Sequence, residues 1–213
     1  MNKLTLRLKT IISHLDKCST FADVGCDHGY VAEAMLSEGK CDFAYVTDVS
    51  AVCLKKAENL LTKTQKGKFE PIVTDGLKNV PKVDQVLIAG MGGELICDIL
   101  HGADFLPERL VLQPMKNSDK VRNCVIKLGY KLIKDYTFKD VKYYDLIVCV
   151  KGHDEYNDDE LEFGRDNLKE KGDAFKEVIT RKISVLETAL KTAGQEERQR
   201  IESLKRKYEE IIL

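Results

Sequence analysis

The stretch Phe21-Ala22-Asp23-Val24-Gly25-Cys26-Asp27-His28-Gly29-Tyr30 limits the folds open to this chain more than any other. A short apolar run ends at a glycine, and residues 31–36 then take up the apolar spacing of a helix. A strand that bends through glycines into a helix brings backbone close to a ligand and points the helix N-terminus at it. The alternation continues downstream. Strands are predicted over residues 42–48, 69–73, 83–89 and 109–112, and helices over 51–63, from 95 to 100, and over 117–128, where Gly129 stops the last. Two strands, 130–136 and 143–150, follow with no room for a helix between them, so they form an antiparallel hairpin. The expectation is an α/β, Rossmann-like sheet of about seven strands, the last inserted beside its predecessors, with ligands outside the carboxyl ends.

Residues 1–15 put Leu4, Leu8, Ile11, Ile12 and Leu15 on one helical face with charges between them, which describes a packed helix and no signal-peptide core. Beyond residue 152 the pattern changes. Residues 153–162 carry six acids and no Lys or Arg, the composition of a solvated linker or exposed turn. Phe175, Ile179, Ile183, Leu186, Leu190 and Ala193 then recur every three or four residues, and Ile201, Leu204, Tyr208 and Ile211 do so after Gly194. Narrow stripes on two helices joined by a short turn describe an antiparallel helical hairpin of coiled-coil type. The expected organisation is a ligand-binding sheet domain over residues 1–155 and a helical hairpin over 156–213.

Four loops at strand ends make up the candidate cofactor pocket. They are Gly25, Asp27, His28, Gly29 and Tyr30 after the first strand, and Asp48-Val49 after the second. Asp75-Gly76-Leu77 follows the third and Ala89-Gly90-Met91-Gly92 the fourth. A carboxylate after the second strand suits the two hydroxyls of a ribose, and Asp75 could accept from the exocyclic amine of an adenine. Capping a helix is the competing use of either acid. The spacing Gly25-x-x-x-Gly29 is not the G-x-G-x-x-G of a dinucleotide site, and Asp23 and Asp27 would repel a pyrophosphate. The same acids are favourable beside the amino and sulfonium groups of S-adenosylmethionine. No phosphate-cradling P-loop sequence occurs.

With 34 Lys and Arg against 35 Asp and Glu, overall charge does not select nucleic acid, so local charge has to. No apolar run approaches the roughly 18 residues of a membrane span, so no membrane partner is expected. Seven cysteines without a C-x-x-C pair read as scattered apolar residues of a reducing compartment, and the expected location is cytoplasmic. His153-x-Glu155 matches the H-x-E of zinc deaminases, but no P-C-x-x-C follows and no metal is expected.

Four motifs stand in order: residues 23–30, Asp75-Gly76-Leu77, Ile88-Ala89-Gly90-Met91-Gly92-Gly93 and Leu112-Gln113-Pro114. In this the chain resembles the bacterial tRNA (adenine-22 N1)-methyltransferases. The resemblance covers residues 4 to about 150, takes in Arg7-Leu8, and continues loosely through Glu162-Phe163-Gly164. It implies a class I methyltransferase fold, S-adenosylmethionine as cofactor and tRNA as substrate, methylated at N1 of an adenine. Arg7, Gln113 and Pro114 become candidate substrate contacts. The family often has Glu at Asp48 and usually has Asn at Met115, and Asn117 is the candidate to replace that Asn.

Methyl transfer is an in-line displacement, so positioning supplies much of the rate. Many methyltransferases acting on exocyclic amines carry Asn or Asp, two prolines and an aromatic after the fourth strand. Here the loop is glycine-rich and offers no such acceptor. Adenine N1 presents an in-plane lone pair, so no obligatory general base is expected. Asp27 and His28 are the nearest candidates for one, and His28 reads equally as a structural residue. A paired adenine must leave its stack to react. Lys116, Lys120, Arg122, Lys127, Lys131 and Lys134, against Asp119 alone, are candidate guides for an RNA backbone. A second basic set, from Arg181 to Lys207, lies on the hairpin. Tyr143 and Tyr144 are candidate stacking residues. Alternative readings are a small-molecule methyltransferase and a non-catalytic S-adenosylmethionine- or RNA-binding protein. The hairpin could serve RNA or dimerisation, and a monomer or weak dimer is expected.

Overall fold

The computed structural model describes residues 4–213. Its sheet contains β1 (Cys18–Val24), β2 (Cys41–Asp48), β3 (Phe69–Val73), β4 (Gln85–Met91), β5 (Arg109–Pro114), β6 (Tyr130–Lys139) and β7 (Tyr143–Lys151), ordered β3-β2-β1-β4-β5-β7-β6. The first five run parallel, and β7 enters antiparallel between β5 and β6. Chain order reverses between β1 and β4, which opens a ligand crevice at their carboxyl ends.

Helices α1 (Leu6–Ser13), α2 (Tyr30–Ser37), α3 (Ala51–Thr64), α4 (Gly93–His101) and α5 (Ser118–Lys127) cover the sheet. The helix expected over 1–15 is α1, with Thr5 accepting from the Leu8 N–H at 3.2 Å as its N-cap. Residues 1–3 of that expectation lie outside the described residues. One apolar layer gathers Ile11, Phe21, Met35 and Leu61, and the other gathers Leu77, Ile96, Leu100, Val121 and Tyr130. The helical pair is α8 (Asp173–Leu190) with α9 (Gln195–Ile212), and Phe163, Phe175, Ile179 and Tyr208 form its own apolar cluster.

The acidic stretch expected as a solvated linker is built into the fold instead. Asn157 and Glu160 form a capping box that starts α6 (Asp158–Phe163), and α7 (Arg165–Glu170) follows. Asp154, 8% exposed at its side chain, pairs with Arg165 at 3.0 Å. Asp154 Oδ2 also accepts from Leu132 N–H on the outer strand β6 (3.0 Å), Asp166 Oδ2 from Asp135 N–H (2.9 Å) and Asn167 Oδ1 from Thr137 N–H (2.8 Å). A bulge between Leu132 and Lys134 brings these three donors into phase on one edge.

Arg122 also departs from expectation. Read from the sequence as an RNA contact, it is 1% exposed, with Nε at 2.9 Å from both oxygens of Asp135. Its Nη1 donates to the carbonyls of Leu161 (3.0 Å) and Glu162 (3.3 Å), tying α5 to α6. Burial works against this charge, but attraction from Asp135 and Asp145 more than offsets it, and the guanidinium is held above its ordinary pKa.

Candidate active site

The bend after β1 is fastened to its neighbour: the N–H groups of Gly25 and Cys26 both donate to the Thr47 carbonyl, at 2.8 and 3.0 Å. Gly25 sits at φ +70°, and a Cβ there would fall 2.1 Å from Met91 Cε. Met91 therefore lies against the bare face of the glycine, where two lobes of a cleft meet. One lobe, about 420 Å³, is lined by Asp23, Asp27, His28 and Tyr30 on one side, Ala89 and Gly90 on the other, and Arg7 and Thr5 from the start of α1. The other, about 100 Å³, holds Asp48, Val49, Asp75 and Gly76 between the apolar side chains of Met91, Leu95 and Ile99.

Asp23 is 5% exposed. Burial pushes its carboxyl up to about 7, with a backbone hydrogen bond at Ala32 opposing the rise. A buried acid so weakly compensated at the floor of a cleft fits a cationic ligand group. Asp27 has φ +44°, unusual for a residue with a side chain. Its carboxylate stands 3.4 Å from Lys56 Nζ and 3.6 Å from His28 Nε2, and the His28 ring stacks on Tyr30 at 5.3 Å. Asp48 Oδ1 accepts from the Ser50 N–H at 2.8 Å, and Ser50 caps α3, so the acid is fixed by its own turn. Asp75 meets Lys78 at 2.9 Å on the surface.

The opposite wall comes from β5, β7 and α1. Arg7 Nε donates to Gln113 Oε1 at 2.7 Å, its guanidinium lies 5.3 Å from the Tyr144 ring centroid, and buried Gln113 donates to the Pro114 carbonyl at 2.8 Å. The loops leaving β4 and β5 are joined by Met115 N–H to Met91 O (2.8 Å) and Gly93 N–H to Lys116 O (2.9 Å). At Gly93 a Cβ would fall 2.2 Å from the Asn117 carbonyl oxygen, which is backbone and cannot turn aside. Gly93→Ala is expected to cost about 1–3 kcal/mol as an overpacked contact and to move the β5–α5 loop. Thermal melting checks this, and an unchanged midpoint would show that the two loops separate freely.

The structure thus gathers Asp23, Gly25, Asp27, His28, Tyr30, Asp48, Val49, Asp75, Gly76, Ala89, Gly90, Met91 and Arg7 around one cleft. Leu77 is buried in the core beneath, and Gly92 is the N-cap of α4. Pro114, Lys116, Asn117 and Tyr143 face a separate cleft of about 580 Å³ against Val178 and Lys182 of α8. The Tyr143 hydroxyl donates to Glu177 of α8. Asn117 and Lys120 both bond Glu94, at 2.8 and 2.6 Å. The sequence reading missed Thr5, Thr47, Leu95 and Ile99. The last two lie in a helical stripe that signalled packing alone. Among the described residues no group of three or more His, Cys, Asp or Glu could hold a metal ion, and no helix is long and apolar enough to cross a membrane.

Residues 4–147 match the family described as a methyltransferase domain. A tRNA (adenine(22)-N(1))-methyltransferase of Bacillus subtilis is 31% identical over 157 residues, 70% of this chain and 66% of that protein. Across the curated relatives the chain spans 66%, 56% and 61% of their length, under two thirds. A Streptococcus agalactiae protein of the NADB-Rossmann superfamily superposes with a TM-score of 0.89 at 27% identity, covering 99% of this chain and 98% of that one. A Streptococcus pneumoniae protein solved in complex with S-adenosyl-L-methionine gives a TM-score of 0.89 at 24% identity, covering 99% and 100%.

Proposed function

This chain belongs to the methyltransferase domain family, and on that premise we propose that it methylates N1 of an adenine in tRNA, using S-adenosylmethionine. The observation that carries this reading is the two-lobed cleft. A buried, undercompensated carboxylate lies in one lobe, two further acids stand between apolar walls in the other, and backbone glycine separates them. The activity of the Bacillus subtilis relative and the bound ligand of the Streptococcus pneumoniae neighbour support it.

When bound, S-adenosylmethionine supplies a methyl group on a sulfonium. In this reading Asp23 and Asp27 hold the cationic end, Asp48 takes the ribose hydroxyls, and Asp75 takes the adenine amine. Val49, Leu95 and Ile99 exclude water from the purine face. The target base enters past Gly90, whose bare backbone leaves room for a ring. Its N1 carries an in-plane lone pair and no proton to remove first, so no residue of the cleft would have to act as a base while the methyl group passed from sulfur to nitrogen and S-adenosylhomocysteine left with the sulfur electron pair. The rate then comes from holding two rings in register.

The phosphate contacts fall to cations not engaged elsewhere. Lys120 is paired with Glu94, Lys205 with Glu187 and Glu209, and Lys207 with Asp159 and Glu162. Exposed Lys116, Lys127 and Lys131 are the guides of this proposal, and the division into residues 1–155 and 156–213 is part of it. Incubation with methyl-labelled S-adenosylmethionine and unmodified tRNA is expected to label one adenine at N1. It should give nothing when that adenine is replaced. Label appearing in a metabolite pool and in no RNA would establish the small-molecule alternative instead.

A further inference from the structure

We propose that Arg7 anchors the carboxylate of the cofactor's methionyl group, rather than the RNA substrate, an inference that rests on the S-adenosylmethionine reading above. That cofactor brings an ammonium, a sulfonium and a carboxylate into the larger lobe. Asp23 and Asp27 answer the two cations, so the carboxylate needs a cationic partner. Among the described residues at this lobe, three basic side chains are candidates: Lys56, His28 and Arg7. Lys56 is committed to Asp27 at 3.4 Å, and His28 faces the same acid at 3.6 Å while stacked on Tyr30.

Arg7 is the third, and its fixed partners are mostly neutral. Nε is held by the amide oxygen of Gln113 at 2.7 Å, and the plane lies over Tyr144. Asp140 is the nearby acid, but its Oδ2 accepts the backbone N–H of Arg7 at 3.0 Å. Among the described residues no carboxylate forms an ion pair with this guanidinium. Burial lowers its pKa, with Tyr144 and Asp140 opposing, so the charge is not fully compensated. Nη2 projects over Gly90, 3.0 Å from where a side chain would begin, and both residues line the lobe. A guanidinium held at Nε and open at its Nη edge matches a carboxylate in a two-pronged contact. Gln113 and Tyr144 are then positioning residues that aim the fork.

The test is calorimetric titration without RNA, comparing S-adenosylmethionine with its decarboxylated analogue, which keeps the sulfonium and the amine. Wild-type protein is expected to favour the carboxylate-bearing form by roughly 10- to 150-fold, the range of one charge-assisted hydrogen-bonded contact. Arg7→Met should erase that preference by weakening S-adenosylmethionine alone. Arg7→Lys retains charge without the fork, is expected in between, and serves where Arg7→Met fails to fold. Equal weakening of both ligands would overturn the assignment, as would unchanged cofactor binding with a raised KM for tRNA. Wild-type protein that bound neither ligand would instead sink the cofactor reading on which it rests.

Discussion

Replacing Arg122 with alanine is expected to lower the free energy of unfolding by about 3–5 kcal/mol, the range for breaking a buried ion pair. The carboxyl of Asp135, 1% exposed, would lose the Nε donor that stands 2.9 Å from both its oxygens. Burial already raises it to about 6 against the pull of Arg122, and would then push it further up and leave an unpaired acid in the interior. The carbonyls of Leu161 and Glu162 would lose their donor in the same step. Urea denaturation followed by circular dichroism measures the loss, and a change under about 1 kcal/mol would show that water reaches this site readily. The double variant Arg122→Met with Asp135→Leu should recover more than half of the loss, because it removes both desolvation costs together. It also separates a missing charge partner from a packing defect. Arg122 is the pin between α5 and α6, so hydrogen exchange in α6 and α7 should rise in the single variant before it does in β1 or β4.

Asp23→Asn is expected to weaken binding of S-adenosylhomocysteine, which keeps the amine and cannot react, by roughly 10- to 150-fold above pH 7. The wild-type pH dependence carries the sharper signature. With the Asp23 carboxyl pushed up to about 7 by burial, the free protein is largely protonated there at pH 6. An ammonium selects the ionised form, so affinity should rise about tenfold per pH unit up to pH 7 and then level off. The Asn variant should show no such slope. Linkage has the opposite sign for the ligand-free fold. An acid whose folded pKa lies above its unfolded value of 3.8 stabilises the protein at low pH, and that contribution is lost as pH rises through about 7. Ligand-free protein should therefore gain melting temperature on moving from pH 7.5 to pH 5.5 as far as this group controls it, while ligand affinity falls. Calorimetry across pH 5.5–7.5 reads both, and a flat affinity profile for wild type would remove Asp23 from the cationic subsite.

Strand–helix alternation made the sheet legible because each strand end was marked by Gly, Asp or Pro, and the absence of a helix between β6 and β7 announced the inserted last strand. The clustering of the residues after β1, β2, β3 and β4 was legible for the same reason: they occupy strand ends, where sequence position fixes spatial position. Three features were not. Residues 153–162 look solvated by composition, since composition does not distinguish an acid facing water from one capping a backbone donor. The Asn157-x-x-Glu160 spacing was the local signal for α6. Charge alone groups Arg122 with exposed lysines, although it lies three residues before Val125 on the helix and so shares its buried face. Its partner Asp135 is on the following strand, and no local pattern announces that pairing. Arg7 reached the cleft from residues far before the glycine bend, placed by a contact to Gln113 that only the folded chain makes.

The side-chain acceptors along β6 set the limits of lateral growth. Every open sheet has two rims whose unpaired amides invite a foreign strand. On β6, Leu132, Asp135 and Thr137 already have their N–H groups occupied from within the same molecule, so an extended peptide arriving there would have to displace three built-in contacts. The opposite rim, β3, is five residues long and contains Pro71, which has no amide hydrogen to offer. Fibril-like polymerisation through either rim is thereby disfavoured, and a crowded cell should find this protein slow to aggregate by strand exchange.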